Sequence, residues 1–97
     1  MVIYEYDEKK SKTNFKKHGV SFEEAATVFF DPLVRIVRVE SQEEERFRAI
    51  GQSAKARLLL VVYCERGFSR NNEEIIRLIS ARKLTRPEKK YLERLRR

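Results

Sequence analysis

Four arginines occur in segments predicted to be strands, and a guanidinium can bind a phosphate through two parallel hydrogen bonds. Arg46 and Arg48 lie in one such segment, and Arg77 and Arg82 lie in or at the end of another. If these strands pair, the guanidinium groups could converge on one sheet face and stabilise the charge that develops during phosphoryl transfer. The alternative is that they only form ion pairs with nearby acids, namely Glu43, Glu44, Glu45, Glu73 and Glu74.

A polar stripe on the first predicted helix ends at the only histidine. Asp7, Lys10, Asn14 and Lys17 are spaced to share one helix face, and His18 follows directly. Histidine has an ordinary pKa of about 6.5, so it can exchange a proton near neutral pH. The alternative is a solvated helix face that ends in an ordinary surface histidine.

Caps and periodicity predict the two N-terminal helices that carry these groups. Residues 7–18 have acids in the first turn, bases in the last turn and a glycine directly after them, which is typical of a helix. Ser21 and Glu24 then form a capping-box motif. The amphipathic helix that follows is predicted to end at Asp31, because the residue before a proline avoids helical geometry.

Four strands are predicted after these helices, because β-branched or alternating segments are separated by polar turns. The turns are an acidic one over residues 41–45 and a polar one over residues 66–72. A second capping box, Thr85 with Glu88, predicts a C-terminal helix. The predicted strands are Leu33 to Val39, Arg46 to Ile50, the apolar central strand Leu58 to Cys64, and Ile75 to Arg82.

The predicted fold is α+β, with two N-terminal helices, a four-stranded antiparallel sheet and a C-terminal helix, because short connections favour antiparallel pairs. At 97 residues we expect a single domain over residues 1–97. Strict alternation in the last strand puts Arg77 with Ile79 and Ala81 on one face, and Arg82 on the other. The expected core residues are Phe15, Phe22, Ala26, Phe29, Leu59, Val61, Ile79 and Leu92.

The net charge of +7 lies entirely in the last third of the chain. Residues 1–65 hold 11 basic and 11 acidic side chains, whereas residues 66–97 hold 11 basic and 4 acidic ones. Such a one-sided excess favours a polyanionic partner, either a nucleic acid or an acidic protein. A soluble, solvated surface is the alternative.

Several classes of function are excluded or disfavoured. The sequence has no apolar run of membrane-spanning length, and its first residues do not have the pattern of a signal peptide. Because a single cysteine cannot form an internal disulfide, we expect an intracellular, reducing compartment and a cytoplasmic protein. One cysteine and one histidine argue against structural zinc, and we expect neither a metal nor a cofactor. The glycine-rich nucleotide-binding motifs and the nucleophile-elbow motif are absent.

Three segments resemble the BrnT toxins, the ribonuclease partners of bacterial BrnT/BrnA toxin–antitoxin pairs. Residues 7–25 resemble the opening motif of that family, residues 45–51 its middle motif, and residues 77–83 its last-strand motif. Two departures are Tyr6, where the family commonly has tryptophan, and a segment over residues 66–72 that looks longer than usual.

This resemblance implies a RelE-like fold and metal-independent endoribonuclease activity that inhibits translation. It also implies neutralisation by a BrnA-type antitoxin with a ribbon-helix-helix domain, so that operator DNA is bound only through the antitoxin. The alternative is a basic module that binds RNA or protein without catalysis.

Resemblance and chemistry together nominate six residues for RNA cleavage. Arg46 and Arg77 are the expected phosphate clamps, and His18 or Glu45 is the expected acid–base group. The full set is His18, Lys17, Glu45, Arg46, Arg77 and Arg82.

Overall fold

The computed structural model describes residues 1–40 and 44–95, which form a five-stranded mixed sheet with helices on both faces. The sheet order is β1-β5-β4-β3-β2. No helix in these two ranges is long and apolar enough to cross a membrane. In chain order the elements are β1 (Val2–Glu5), α1 (Glu8–His18), α2 (Phe22–Ala26) with a 3-10 turn (Thr27–Phe30), β2 (Arg35–Val39), β3 (Arg46–Gln52), β4 (Leu58–Phe68), β5 (Glu74–Lys83) and α3 (Arg86–Leu95).

The α+β class is confirmed, but the prediction of a four-stranded antiparallel sheet is wrong. The additional strand β1 pairs in parallel with β5, with Val2 opposite Glu74 and Glu5 opposite Arg77. A four-residue strand is too short to give a clear alternation, and its partner is about 70 residues away, so no local turn marks the pairing. The strand β4 lies in the middle of the sheet as predicted, and it is covered on both faces.

The helix starts follow their predicted caps. The Asp7 carboxylate accepts a hydrogen bond from the Lys9 amide at 2.8 Å, and Gly19 ends α1 with a φ of +72°. The Ser21 hydroxyl accepts a hydrogen bond from the Glu24 amide at 3.1 Å. The α-helix α2 ends at Ala26, earlier than predicted, because its last turn tightens into the 3-10 geometry.

The two faces of the sheet pack against different helices. The helix face packs against α1 and α2, and its buried residues include Ala49, Leu59, Val61, Leu78 and Ala81. The opposite face packs against α3 through Leu60, Leu84 and Leu92, and it is called the arginine face because Arg46, Arg48, Arg77 and Arg82 lie on it.

Most of the predicted core is confirmed, with two exceptions. Phe22, Leu59, Val61 and Leu92 are buried, and Ala26 and Phe29 are half-buried against the core. The prediction for Phe15 is wrong, since 54% of it is exposed. The helix α1 instead packs through small polar side chains, Ser11 and Asn14, which are buried.

The prediction for Ile79 is also wrong, because a β-bulge interrupts the alternation of β5. Ser80 pairs with Val62 and Leu78 pairs with Tyr63, so Ile79 is an extra residue without an opposite partner, and it is only half-buried. The bulge moves Ala81 onto the helix face and places Arg77 and Arg82 together on the arginine face, where strict alternation would have separated them.

The polar turn predicted over residues 66–72 is shorter in the structure. β4 continues to Phe68, and the turn closes with the Ser69 amide donating to the Glu73 carbonyl at 2.8 Å. The predicted acidic turn over residues 41–45 lies partly outside the described residues, as do the last two residues of the predicted C-terminal helix.

A buried amide holds the end of α1 against β5. Beyond Arg77 the outer edge of β5 has no partner in β1, and the Asn14 side chain takes this place at Ala81. Its Nδ2 donates to the carbonyls of Ala81 and Val20, both at 2.8 Å, and its Oδ1 accepts from the Ala81 amide at 3.2 Å. The amide uses all of its donors, so each hydrogen bond fixes the position of α1.

We expect Asn14→Asp to destabilise the protein strongly. The carboxylate cannot donate, so the buried carbonyls of Ala81 and Val20 lose their partner, at a cost on the order of 3 kcal/mol in unfolding free energy. Urea unfolding measures this change. Thr13→Ala, which removes an exposed hydroxyl on the same helix, is the control and should cost well under half as much. Equal effects for the two variants would contradict this account.

Candidate active site on the arginine face

The register of three strands brings the predicted arginines onto one surface. Arg46 and Arg48 alternate with Phe47 and Ala49, which point to the helix face, and they are about 7 Å apart along β3. On β5, Arg77 pairs with Cys64 and Arg82 pairs with Leu60, both of which lie on the arginine face. β3 and β5 do not pair directly, since β4 lies between them, but the register still places all four arginines on one sheet face.

A cavity of about 130 Å³ opens at one end of this face and contains the only histidine. Its polar lining consists of His18, Arg48, Ser80 and Arg82. His18 reaches the cavity because Asn14, one helical turn earlier, holds α1 at the β5 edge. A proton-exchanging group thus lies beside two guanidinium groups and a hydroxyl, which is an arrangement that can bind an anion and act on it.

The other end of the arginine face centres on Cys64. Burial raises the pKa of the Cys64 thiol and Glu44 raises it further, whereas Arg66, Arg77 and Arg46 act in the opposite direction. The thiol is buried, which makes it a small core residue. The three arginines that lower the pKa of this thiol lie around the same position of the sheet.

Carboxylates of the protein hold three of the arginines. Arg77 pairs with Glu5 on β1 at 2.6 Å, and Arg82 makes a two-pronged pair with Glu88 on α3 at 2.7 and 2.9 Å. The Arg46 Nε lies 3.6 Å from Glu44, too far for a hydrogen bond, and among the described residues this buried nitrogen has no hydrogen-bond partner. Ion pairing is the alternative that the sequence predicts for these arginines, but two of the three acids, Glu5 and Glu88, differ from the predicted partners.

Two of the six nominated residues lie apart from the others. Lys17 is exposed on α1, next to His18. Glu45 pairs with Arg38 at 2.8 Å, and Arg38 lies opposite Phe47 on the helix-face side of β2. The structure therefore groups His18, Arg46, Arg77 and Arg82 on or beside one face and directs Glu45 elsewhere.

Arg48 is the residue that the nominated set left out. It is exposed, lines the cavity with His18, and forms no ion pair with the acidic residues that the structure describes. Its alternation with Phe47 and Ala49 was visible in the sequence, but the cavity depends on the register with Ser80 and on the bulge.

The fold and the site define a small basic α+β protein with a cationic sheet face beside a histidine. A family model described as "Ribonuclease toxin, BrnT, of type II toxin-antitoxin system" matches residues 6–88, and the chain belongs to this family. Type II toxin–antitoxin systems pair such a toxin with a protein antitoxin, which implies a protein partner and an RNA substrate.

Among solved structures, the chain is similar to the 1.1 Å crystal structure of the ribonuclease toxin BrnT of Brucella abortus. The identity is 24%, the TM-score is 0.64, and the match covers 89% of this chain and 99% of that one. This likeness shows a shared fold. No curated protein sequence matched the chain.

The Arg82–Glu88 pair predicts a pH dependence of stability. Hydrogen bonds from Arg82 and from the Thr85 amide lower the pKa of Glu88 from 4.5 to about 2. The stabilisation is therefore present above pH 4.5 and is lost as the pH falls from 4.5 towards 2. We expect Glu88→Gln to cost about 1 kcal/mol at pH 7, since the pair is partly solvated, and to cost progressively less over that window.

Urea unfolding between pH 7 and pH 2 measures this difference. Glu93→Gln on the exposed side of α3 is the matched control, because the described residues contain no ion pair of Glu93. A Glu88→Gln effect that stayed constant down to pH 2 would show that the pair does not titrate as described.

Proposed function

We propose that this protein is the toxin of a type II toxin–antitoxin system and acts as an endoribonuclease. The observation that carries the proposal is the strand register that gathers Arg46, Arg48, Arg77 and Arg82 on one face, with His18 at its margin. These groups provide what cleavage of an RNA phosphodiester needs, which is positive charge around the phosphate and a group that exchanges protons.

In the proposed reaction the ribose 2′-oxygen attacks the adjacent phosphorus, and the bond from phosphorus to the 5′-oxygen breaks. The 2′-OH proton goes to a base, and the leaving 5′-oxygen receives a proton. His18 is the proposed acid–base group, because Glu45 is held by Arg38 away from this face. Arg46 and Arg77, towards the other end of the arginine face, are the proposed phosphate clamps that hold the RNA backbone, and Arg82, beside His18, and Lys17 add positive charge. The RNA displaces the carboxylates that now pair with the arginines.

We further propose that residues 1–97 act as one RelE-like domain in the cytoplasm and that RNA cleavage inhibits translation. The proposed partner is a BrnA-type antitoxin with a ribbon-helix-helix domain, through which alone the pair contacts operator DNA. Membership of the toxin family and the net charge of +7 support a polyanionic substrate and a tightly bound inhibitor.

The second candidate function is RNA or protein binding without catalysis. It is favoured by the ion pairs of Arg77 and Arg82, since both guanidinium groups are already held by carboxylates. Incubation with RNA separates the two functions, because a binding module retains the RNA intact.

We expect RNA cleavage in EDTA at the rate found without it, because the proposed reaction uses guanidinium groups for phosphate binding. The fragments should end in a 2′,3′-cyclic phosphate, the product expected when the 2′-oxygen is the nucleophile. Gel analysis of a labelled RNA, with phosphatase treatment of its ends, measures both. Activity lost in EDTA and restored by Mg²⁺ would overturn the metal-independent reaction.

We expect Arg46→Ala and Arg77→Ala each to slow cleavage by tenfold or more, about 1.4 kcal/mol of transition-state stabilisation. Lysine at either position should restore only part of the rate, because an ammonium lacks the planar fork. Arg38→Ala is the matched control, since Arg38 is an exposed, ion-paired arginine whose strand position faces the other side of the sheet. Folded Arg46 and Arg77 variants with the parent rate would show that the site is assigned wrongly.

A further inference from the structure

A second cavity lies on the arginine face, between α3 and the edge of the sheet. It is a groove of about 470 Å³ whose walls are mainly apolar. Its floor includes Ile50 and Leu60 of the sheet, and one wall is formed by Tyr91 and Leu95 of α3. The groove is thus lined by aliphatic and aromatic side chains in a protein that is otherwise densely charged.

Several apolar side chains around this groove remain exposed to solvent. The exposed fractions are 63% for Tyr91, 42% for Leu95 and 48% for Val37, which lies on β2. β2 is also an edge strand. Within residues 1–40 and 44–95 it pairs only with β3, so the backbone groups on its outer side have no partner strand there. Contiguous exposed apolar surface next to an open edge is typical of a site where another protein binds.

The charges around the groove favour an acidic occupant. Arg35 and Arg48 line it, and neither forms an ion pair with an acidic residue in the described part of the chain. Glu88, which also lines it, is already bound to Arg82. The face thus already binds one carboxylate carried by a helix, that of Glu88. The guanidinium groups of Arg35 and Arg48 are available to carboxylates of a partner.

The groove is continuous with the candidate active site. Arg48 and Leu60 line both the groove and the cavity that contains His18. A partner that pairs with Arg48 from the groove would therefore occupy a guanidinium group that also faces the cavity containing His18.

We propose that this groove is the docking site of the antitoxin, which inserts apolar side chains between α3 and β3 and pairs its carboxylates with Arg48 and Arg35. The inference rests on the proposed function, which requires such a partner. A nucleobase fits less well, because Tyr91 is the one aromatic side chain among the lining residues and the aliphatic residues around it offer no groups for the polar edge of a base. A second copy of the chain fits less well, because it too carries a charge of +7.

The test uses the full-length protein and the purified product of the gene adjacent to its own. We expect the double variant Tyr91→Ala with Leu95→Ala to bind that product at least tenfold more weakly and to cleave RNA at the parent rate. The matched control is Phe30→Ala with Phe68→Ala, since these side chains are 76% and 68% exposed outside the groove, and it should change neither measurement. Arg48→Ala should weaken both binding and cleavage.

Several outcomes would overturn the proposal. It fails if the groove variant binds the adjacent product with parent affinity, or if the parent protein does not bind that product. It also fails if the groove variant loses RNA cleavage instead, which would assign the groove to the substrate, or if it dissociates a dimer of the parent, which would assign it to a second copy. A parent that binds the product but leaves RNA intact would refute the ribonuclease and leave the groove assignment standing.

Discussion

The structure depends on one buried amide, that of Asn14, because it joins the helical layer to the open edge of β5. β1 covers only the first part of that edge, and the side chain of Asn14 satisfies the backbone of Ala81 where β1 has ended. The same amide binds the Val20 carbonyl, so it also fixes the link between α1 and α2. Because a buried backbone group without a partner costs free energy, this contact is specific in a way that apolar packing alone is not.

A second polar network holds the opposite side of that link. The Glu24 carboxylate does not complete its capping box but binds Ser53 and the guanidinium of Arg57, which also donates to the Gly19 carbonyl at 2.9 Å. The hydrogen bonds from Arg57 lower the pKa of Glu24, which keeps this buried carboxylate ionised. Asn14 and Arg57 thus fix the backbone on both sides of the turn after His18, although neither residue is part of the arginine face.

The arginine face must hold several positive charges close together and still leave a cation available to bind a ligand. Clustered guanidinium groups repel one another, and here Glu5 and Glu88 reduce that repulsion while still leaving Arg48 unpaired among the described residues. Both carboxylates come from elements that border the face, β1 and α3. A ligand with phosphates or carboxylates can replace them, so substrate and inhibitor are expected to use the same cations.

The sequence by itself determined the helix starts, the central strand, most of the core and the resemblance to the toxin family, because caps, glycine positions and apolar periodicity are local signals. Only the tertiary structure decided which residues meet. The bulge at Ile79 places Arg77 and Arg82 on one face, and the parallel pairing of β1 brings Glu5 next to Arg77. The hydrogen bonds of Asn14 hold α1 so that His18 lies beside Arg48. Each of these depends on pairing between segments distant in the chain, whose register no local pattern encodes.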